Sequence, residues 1–375
     1  MKYYIICGET SGDMHAANLV KGLKKYDPTA QIRAWGGNSL IAQGVEVVKH
    51  IRDLSFMGLV EVLLHLKTIK HNFKFAYSDI LNFNPDVLIL VDFPGFNLRL
   101  AKWAKKNGIK VFYYISPTVW AWHQSRVYQV RDYVDKMFVI LPFEKDFYKK
   151  FNVDVDYEGH PILDILASEL NKTETFTHFC NRHQLNEKNI IALLPGSRKQ
   201  ELTQMLKVMT SITADFKNYN FVIAGLSFLP KDLYSFALTL PNVQIIYDDT
   251  YALLKQAKAA IVTSGTATLE TALFKVPQIV CYKTNPITFA IGKRLVKVKY
   301  ISLVNLILGK EVVKELIQYE FNQQNLKNEL QKILTPEEQN KILDNYNQLQ
   351  QLIGTYGVSE RIAFKMLAYL KNNEI

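Results

Sequence analysis

Val87-Leu88-Ile89-Leu90-Val91 is an unbroken apolar run, preceded by Pro85-Asp86 and closed by Asp92. A run so short and so uniformly apolar reads as a strand covered on both faces, which calls for a parallel sheet with crossover helices. The flanking sequence fits that frame. Tyr3 to Cys7 is a second β-rich run, broken by Gly8 to Gly12, after which Leu19, Val20, Leu23 and Tyr26 recur at helical spacing. A helical stretch over 98–106 leads through Gly108 to strands expected at 110–115 and 137–141. After His160-Pro161 the alternation loosens, and the polar stretch 168–188 reads as a join. Strands are expected again at 190–194, 221–224, 243–247, 259–263 and 278–282. From Gln318 the chain reads as helical, with Pro336 opening one helix and Gly354 to Gly357 separating a last one.

The predicted fold class is α/β, with two doubly wound, Rossmann-like domains over 1–168 and 185–350. A helical tail over 351–375 is expected to pack back on the first domain or on a partner subunit. Length points the same way, because single cores stop growing at roughly 250–300 residues and this chain has 375.

Lys and Arg number 45 against 35 Asp and Glu, a formal charge of +10. That excess favours an anionic partner: a nucleotide, a nucleic acid or a membrane surface. Three cysteines without a pairing pattern argue for a reducing compartment. The apolar start is too short for a signal peptide, and no run reaches the roughly 18 apolar residues of a spanning helix. A cytosolic protein is expected.

Three glycine- and hydroxyl-rich turns follow strands and open helices. Gly8-Glu9-Thr10-Ser11-Gly12-Asp13 is neither G-x-G-x-x-G nor a lysine-bearing P-loop, so neither nucleotide fingerprint applies. Its glycines allow close backbone approach to a ligand, and its helix amides suit an anion or a sugar hydroxyl. Ser11 or Asp13 as a plain helix cap is the competing reading. In Leu194-Pro195-Gly196-Ser197-Arg198, the amides of Gly196 and Ser197 and the Arg198 guanidinium suit a phosphate. In Ser264-Gly265-Thr266-Ala267-Thr268-Leu269-Glu270, the carboxylate of Glu270 sits one helical turn past Thr266 and suits the vicinal hydroxyls of a ribose. The ends of parallel strands are where open α/β sheets bind ligands.

Asp92, at the end of the most buried-looking strand, is placed as a general base or as a cap. Trp120 and Trp122 suit stacking on a sugar, an acyl pocket, or simple aromatic core. His178, Cys180 and His183 fall within six residues, but no second cluster completes a metal site, so neither metal nor cofactor is expected. Two apolar-and-basic stretches, 56–74 and 292–300, suit an anionic interface, and neither carries a nucleic-acid signature.

The ordered set formed by these turns resembles one family. To them are added Phe56-Met57-Gly58-Leu59-Val60-Glu61-Val62, Ser116-Pro117-Thr118-Val119-Trp120-Ala121-Trp122, Leu141-Pro142-Phe143-Glu144, Gly159-His160-Pro161 and Ser302-Leu303-Val304-Asn305. Together they resemble the lipid A disaccharide synthases over nearly the whole chain. The resemblance implies an inverting GT-B hexosyltransferase with two Rossmann-like domains facing a cleft. Its donor would be UDP-2,3-diacylglucosamine and its acceptor 2,3-diacylglucosamine 1-phosphate, lipid X. It also implies a peripheral position on the cytosolic face of an inner membrane, and it allows a homodimer.

By matching positions, the resemblance gives Arg198 to a phosphate, Glu270 to the UDP ribose and Asn305 to substrate or diphosphate positioning. Gly196, Ser197, Ser264, Gly265 and Thr266 would complete the UDP site, while Gly8, Glu9, Ser11, Gly12, Asp13, Trp120 and Trp122 would face the acylated sugars. Asp92, Arg198 and Asn305 form the catalytic set. One departure stands out: Gly95 occupies the position where the family commonly has the aspartate that is its candidate base. That leaves Asp92, Glu9 or Asp13. The competing readings are another GT-B enzyme (an epimerase or a muramyl-type transferase), a dehydrogenase, which the missing dinucleotide fingerprint opposes, and a non-catalytic lipid- or sugar-phosphate-binding module.

Overall fold

The computed structural model describes residues 1–54 and 66–371. The apolar run 56–66 read from the sequence therefore lies outside the described residues, apart from the backbone of Leu66. The chain divides into two compact units, Met1–Ser168 with Ile353–Ile375, and Glu169–Leu352.

Among the described residues the first unit carries seven parallel strands. They are β1 (Lys2–Cys7), β2 (Gln31–Gly36), β3 (Glu46–His50), β4 (Val87–Val91), β5 (Val111–Tyr114), β6 (Lys136–Val139) and β7 (Asp156–Tyr157). Their spatial order is β3-β2-β1-β4-β5-β6-β7. The uniform apolarity of β4, and of β1 beyond Lys2, has a direct cause. Tyr3, Ile5, Cys7, Val87, Ile89 and Val91 enter one core with the helices Thr10–Tyr26 and Val358–Leu370. Tyr4, Ile6, Leu88 and Leu90 enter the other, against Trp35, Ala76, Ile80 and Phe96.

The last helix is built into this unit. Asp164 accepts from the amides of Gly357, Val358 and Ser359 at 2.7, 3.1 and 2.6 Å, satisfying the helix start. Gly22 lets the helix Thr10–Tyr26 approach closely, since a Cβ there would fall 2.8 Å from Ala363 Cβ. His160, of the Gly159-His160-Pro161 motif, is buried and donates its backbone amide to Ile353 O at 2.9 Å.

The second unit carries six parallel strands among the described residues. They are β8 (Asn189–Leu194), β9 (Tyr219–Gly225), β10 (Val243–Tyr247), β11 (Ala257–Thr263), β12 (Gln278–Tyr282) and β13 (Lys314–Ile317). Their order is β10-β9-β8-β11-β12-β13. Each unit thus has one place where strand order reverses: between β1 and β4 in the first, and between β8 and β11 in the second. The predicted turns sit at those places.

Strands β2, β3, β7 and β13 go beyond the sequence reading. Each mixes polar and apolar side chains. Arg33 of β2, for example, sends its guanidinium to Asp79 and Glu46 instead of into a core.

Candidate active site

Cys7 and Val91 are register partners at the carboxyl ends of β1 and β4, so the turns that follow them lie side by side. Glu9, in extended backbone, precedes the helix Thr10–Tyr26, and Ser11 is exposed in its first turn. Across from it, Asp92 and Phe93 both adopt left-handed backbone, with φ of 46° and 50°. Two consecutive side-chain-bearing residues in that region store strain, which persists only where the surroundings fix it. Here they do. The Asp92 carbonyl accepts from the Tyr113 hydroxyl at 2.5 Å and from the buried Asn97 amide at 2.8 Å, while the Asp92 amide donates to Tyr114 O at 3.1 Å.

Burial pushes the Asp92 carboxyl up to about 6, the Glu9 carboxylate adds to the rise, and the Phe93 amide opposes it. An acid poised there is ionised at neutral pH yet basic enough to take a hydroxyl proton.

Gly8 and Phe93 lock the two turns together. A Cβ on Gly8 would lie 2.4 Å from Phe93 Cγ, inside any tolerable contact. Gly8→Ala should therefore push the ring, and Asp92 with it, out of place, at about 1–3 kcal/mol of overpacking. We expect kcat/KM to fall at least tenfold, and Phe93→Ala to restore part of the loss in the double variant. Strictly additive effects in that cycle would show that the contact does not position Asp92.

Asp13 faces inward. Its buried carboxylate accepts from Gly37 N at 2.6 Å, Ser39 N at 2.9 Å and Leu40 N at 3.3 Å. Gly12 packs toward the strands, with Cys7 Cβ 3.2 Å from where its own Cβ would be. These two residues shape the turn and Gly8 is buried under Phe93, so Glu9 and Ser11 are left to face a ligand.

After β5, the chain runs through Ile115, at φ 67°, into the Ser116–Trp122 segment. Trp120 is buried and donates its indole N–H to Glu144 at 3.1 Å. Trp122 is exposed, stacked on His123 at 5.0 Å with Arg126 over its face at 5.4 Å. Of the two, only Trp122 is exposed. Glu144 was given no role in the sequence reading. It also accepts from Ile140 N at 3.1 Å and Leu141 N at 2.9 Å, so it ties the end of β6 to the tryptophan segment. Burial pushes its carboxyl up to about 7 against these donors. The available signal was a Glu three residues after a strand's last Leu, the reciprocal half of a capping box.

In the second unit Leu194 and Val262 are register partners, so the turns after β8 and β11 are also neighbours. Gly196 has φ 105°, a conformation that favours glycine, and Ser197 and Arg198 are exposed as the helix Lys199–Met209 begins. Opposite, Ser264, Gly265 and Thr266 lead into the helix Thr266–Leu273. Gly265 and Thr266 are exposed, so this helix start is open to an anion. The Ser264 hydroxyl donates to Ile301 O at 2.9 Å. Glu270, one turn on, accepts from the Tyr251 hydroxyl at 3.1 Å, and burial raises its carboxyl from the usual range.

Asn305 stands apart from these. It is fully buried, and its amide group is saturated within the protein. Nδ2 donates to Val313 O at 2.8 Å and Glu315 at 2.9 Å, while Oδ1 accepts from Val312 N at 2.7 Å and Val313 N at 3.0 Å. Glu315 also accepts from the amides of Ile301 and Ser302. Asn305 and Glu315 thus hold the segment on which the Ser264 hydroxyl rests, which makes Asn305 a positioning residue.

His178 contacts Glu174, Cys180 lies in the core and His183 contacts Asp249, so these three side chains do not converge.

Residues 3–363 match the family described as Lipid-A-disaccharide synthetase. A lipid-A-disaccharide synthase of Syntrophus aciditrophicus is 38% identical over 381 residues, covering 99% of this chain and 98% of that protein. One of Coxiella burnetii is 36% identical over 358 residues, covering 94% and 92%. Among solved structures, UDP-GlcNAc 2-epimerase from Neisseria meningitidis bound to UDP-GlcNAc superposes with a TM-score of 0.72 at 14% identity, covering 98% of this chain and 100% of that one. At that identity the likeness is one of fold.

Proposed function

This chain belongs to the lipid-A-disaccharide synthetase family, and from that premise we propose that it joins two acylated glucosamines at the expense of UDP-sugar. The family makes it a glycosyltransferase of lipid A disaccharide synthesis. The proposed donor is UDP-2,3-diacylglucosamine and the acceptor 2,3-diacylglucosamine 1-phosphate. The acceptor 6-hydroxyl attacks the anomeric carbon and its proton passes to the Asp92 carboxylate. The bond to the diphosphate breaks with its electron pair going to UDP, leaving a β-1,6-linked disaccharide 1-phosphate. The match over residues 3–363 carries this reading. An epimerase reading would rest on a shared fold alone.

The residues supply the two charges that the step needs handled. Asp92, held in a strained turn, takes the proton. The open amides of the Ser264–Thr266 turn and the Arg198 guanidinium meet the charge that develops on the leaving diphosphate. Glu270 fits the ribose hydroxyls. Arg198→Ala should lower kcat by about 10²–10³, with the thermal midpoint unchanged because the side chain is exposed. Wild-type turnover would remove Arg198 from the diphosphate site.

The test of the activity is UDP release in detergent micelles with chelator present. Release that depends on the acceptor lipid and yields a disaccharide is the expected result. Release without acceptor, or none with both sugar lipids, overturns the reading. Two acylated substrates call for an enzyme at the surface of the membrane that holds them, and the cytosolic face is the one proposed. The proposed contact is peripheral; no helix among the described residues is long and apolar enough to cross a membrane.

A further inference from the structure

Residues 271–310 contain no Asp or Glu and seven Lys or Arg. Most of the chain's net positive charge is thus matched by one stretch of forty residues, none of whose bases has a role in the chemistry above. The middle of that stretch is the helix Pro286–Leu295, capped by Asn285, whose side chain accepts from Ile287 N at 2.9 Å.

This helix and the residue after it expose apolar side chains that an ordinary surface helix would bury. Ile287 is 72% exposed, Leu295 50% and Val296 40%. Helical spacing puts Ile287, Ala290 and Leu295 on one side, with Arg294 among them, while Phe289 and Gly292 on the other side are partly buried. Lys293, Arg294, Lys297 and Lys299 are all exposed, and no ion pair among the described residues engages Lys293, Arg294 or Lys297. Tyr319, 77% exposed, lines one cavity with Asn285 and Pro286, which sets an amphipathic ring beside the start of the helix.

Exposed apolar side chains ringed by bases, with no acid between residues 271 and 310 and Glu320 as the acid next to Tyr319, complement one kind of surface. A nucleic acid would engage the bases and leave Ile287 and Leu295 in water; an anionic bilayer takes both. We propose that the segment 283–299, with Tyr319 beside it, lies in the plane of an anionic lipid bilayer and seats the second unit upon it. This deepens the reading that the substrates are acylated, by naming the surface through which the enzyme meets their membrane.

The experiment is co-sedimentation of the full chain with phosphatidylcholine vesicles, with and without phosphatidylglycerol, in the absence of either sugar lipid. Its failure is therefore separate from failure of the transferase reading. The wild type is expected to bind the anionic vesicles, less so as salt rises. The triple variant Lys293→Glu, Arg294→Glu, Lys297→Glu should lower partitioning by about a hundredfold. Ile287→Ser with Leu295→Ser should lower it with the charges intact. Both variants should keep wild-type turnover in detergent micelles. Equal binding of the wild type to neutral vesicles, undiminished binding by the triple variant, or a parallel loss of micellar turnover would each overturn the proposal.

Discussion

Asp92→Asn is expected to lower kcat by about 10²–10⁴, the usual contribution of a positioned general base, and at the same time to make the first unit more stable at neutral pH. The two effects share one cause. Burial and Glu9 raise the Asp92 carboxyl to about 6, against an ordinary 3.8. The folded state therefore binds this proton more tightly than the unfolded chain does. Its favourable contribution is complete below pH 4 and is lost as pH rises through 6, so ionised Asp92 weakens the fold above that point. The full difference amounts to about 3 kcal/mol. Asn cannot ionise, so the variant escapes it. The gain should appear in denaturation at pH 7–8 and vanish near pH 4. Wild-type kcat/KM should show an acid limb near pH 6, which the variant lacks. Near-normal turnover by the variant would remove Asp92 as base. A variant that is both inactive and destabilised at neutral pH would point to a broken turn instead of a missing base.

The same turn marks how far the sequence could be read. The central strands β1, β4, β8 and β11 were legible because burial on both faces confines polar side chains to their ends: Lys2 in β1, Asn189 in β8, and Lys258 and Thr263 in β11. β2 and β13 were not, because Arg33 and Glu315 turn their charges onto partners far away in sequence. The positions of the glycine- and hydroxyl-rich turns at strand ends were legible from their composition. What could not be read was the direction in which each polar side chain points. Glu9 and Asp13 lie in one turn, and Asn305 looks as available as Ser264. Only the fold shows that Asp13 and Asn305 spend their hydrogen-bonding capacity on backbone amides, carbonyls and Glu315. The left-handed pair Asp92-Phe93 was equally invisible, because its cause is the Tyr113 and Asn97 side chains pulling on one carbonyl.

Asp13→Ala should show the difference between supporting a turn and touching a ligand. The carboxylate satisfies three backbone N–H groups, two of them through Oδ1. Gly37 leaves room for it, since a Cβ there would lie 2.9 Å from Asp13 Oδ2, while one at Gly36 would meet Leu40 Cδ1 at 2.4 Å as well as Asp13 Oδ1 at 3.1 Å. Alanine leaves buried donors without an acceptor, each costing about 1–3 kcal/mol, and a total loss of about 3–5 kcal/mol is expected. Asp13→Asn should lose less. Its one remaining oxygen can keep Gly37 and Leu40, while its amide nitrogen turns a donor toward Ser39 N.

The chain supplies its own probe. Its four tryptophans are Trp35, Trp103, Trp120 and Trp122, all in the first unit. Tryptophan fluorescence in urea therefore follows that unit's unfolding. Buried Trp35, one residue from the Gly36-Gly37 pair, reports the damaged turn directly. The midpoint should fall in the order wild type, Asn, Ala. Were the alanine variant to unfold at the wild-type midpoint and lose only acceptor binding, Asp13 would belong to the ligand site after all. The three amides would then have found water in its place.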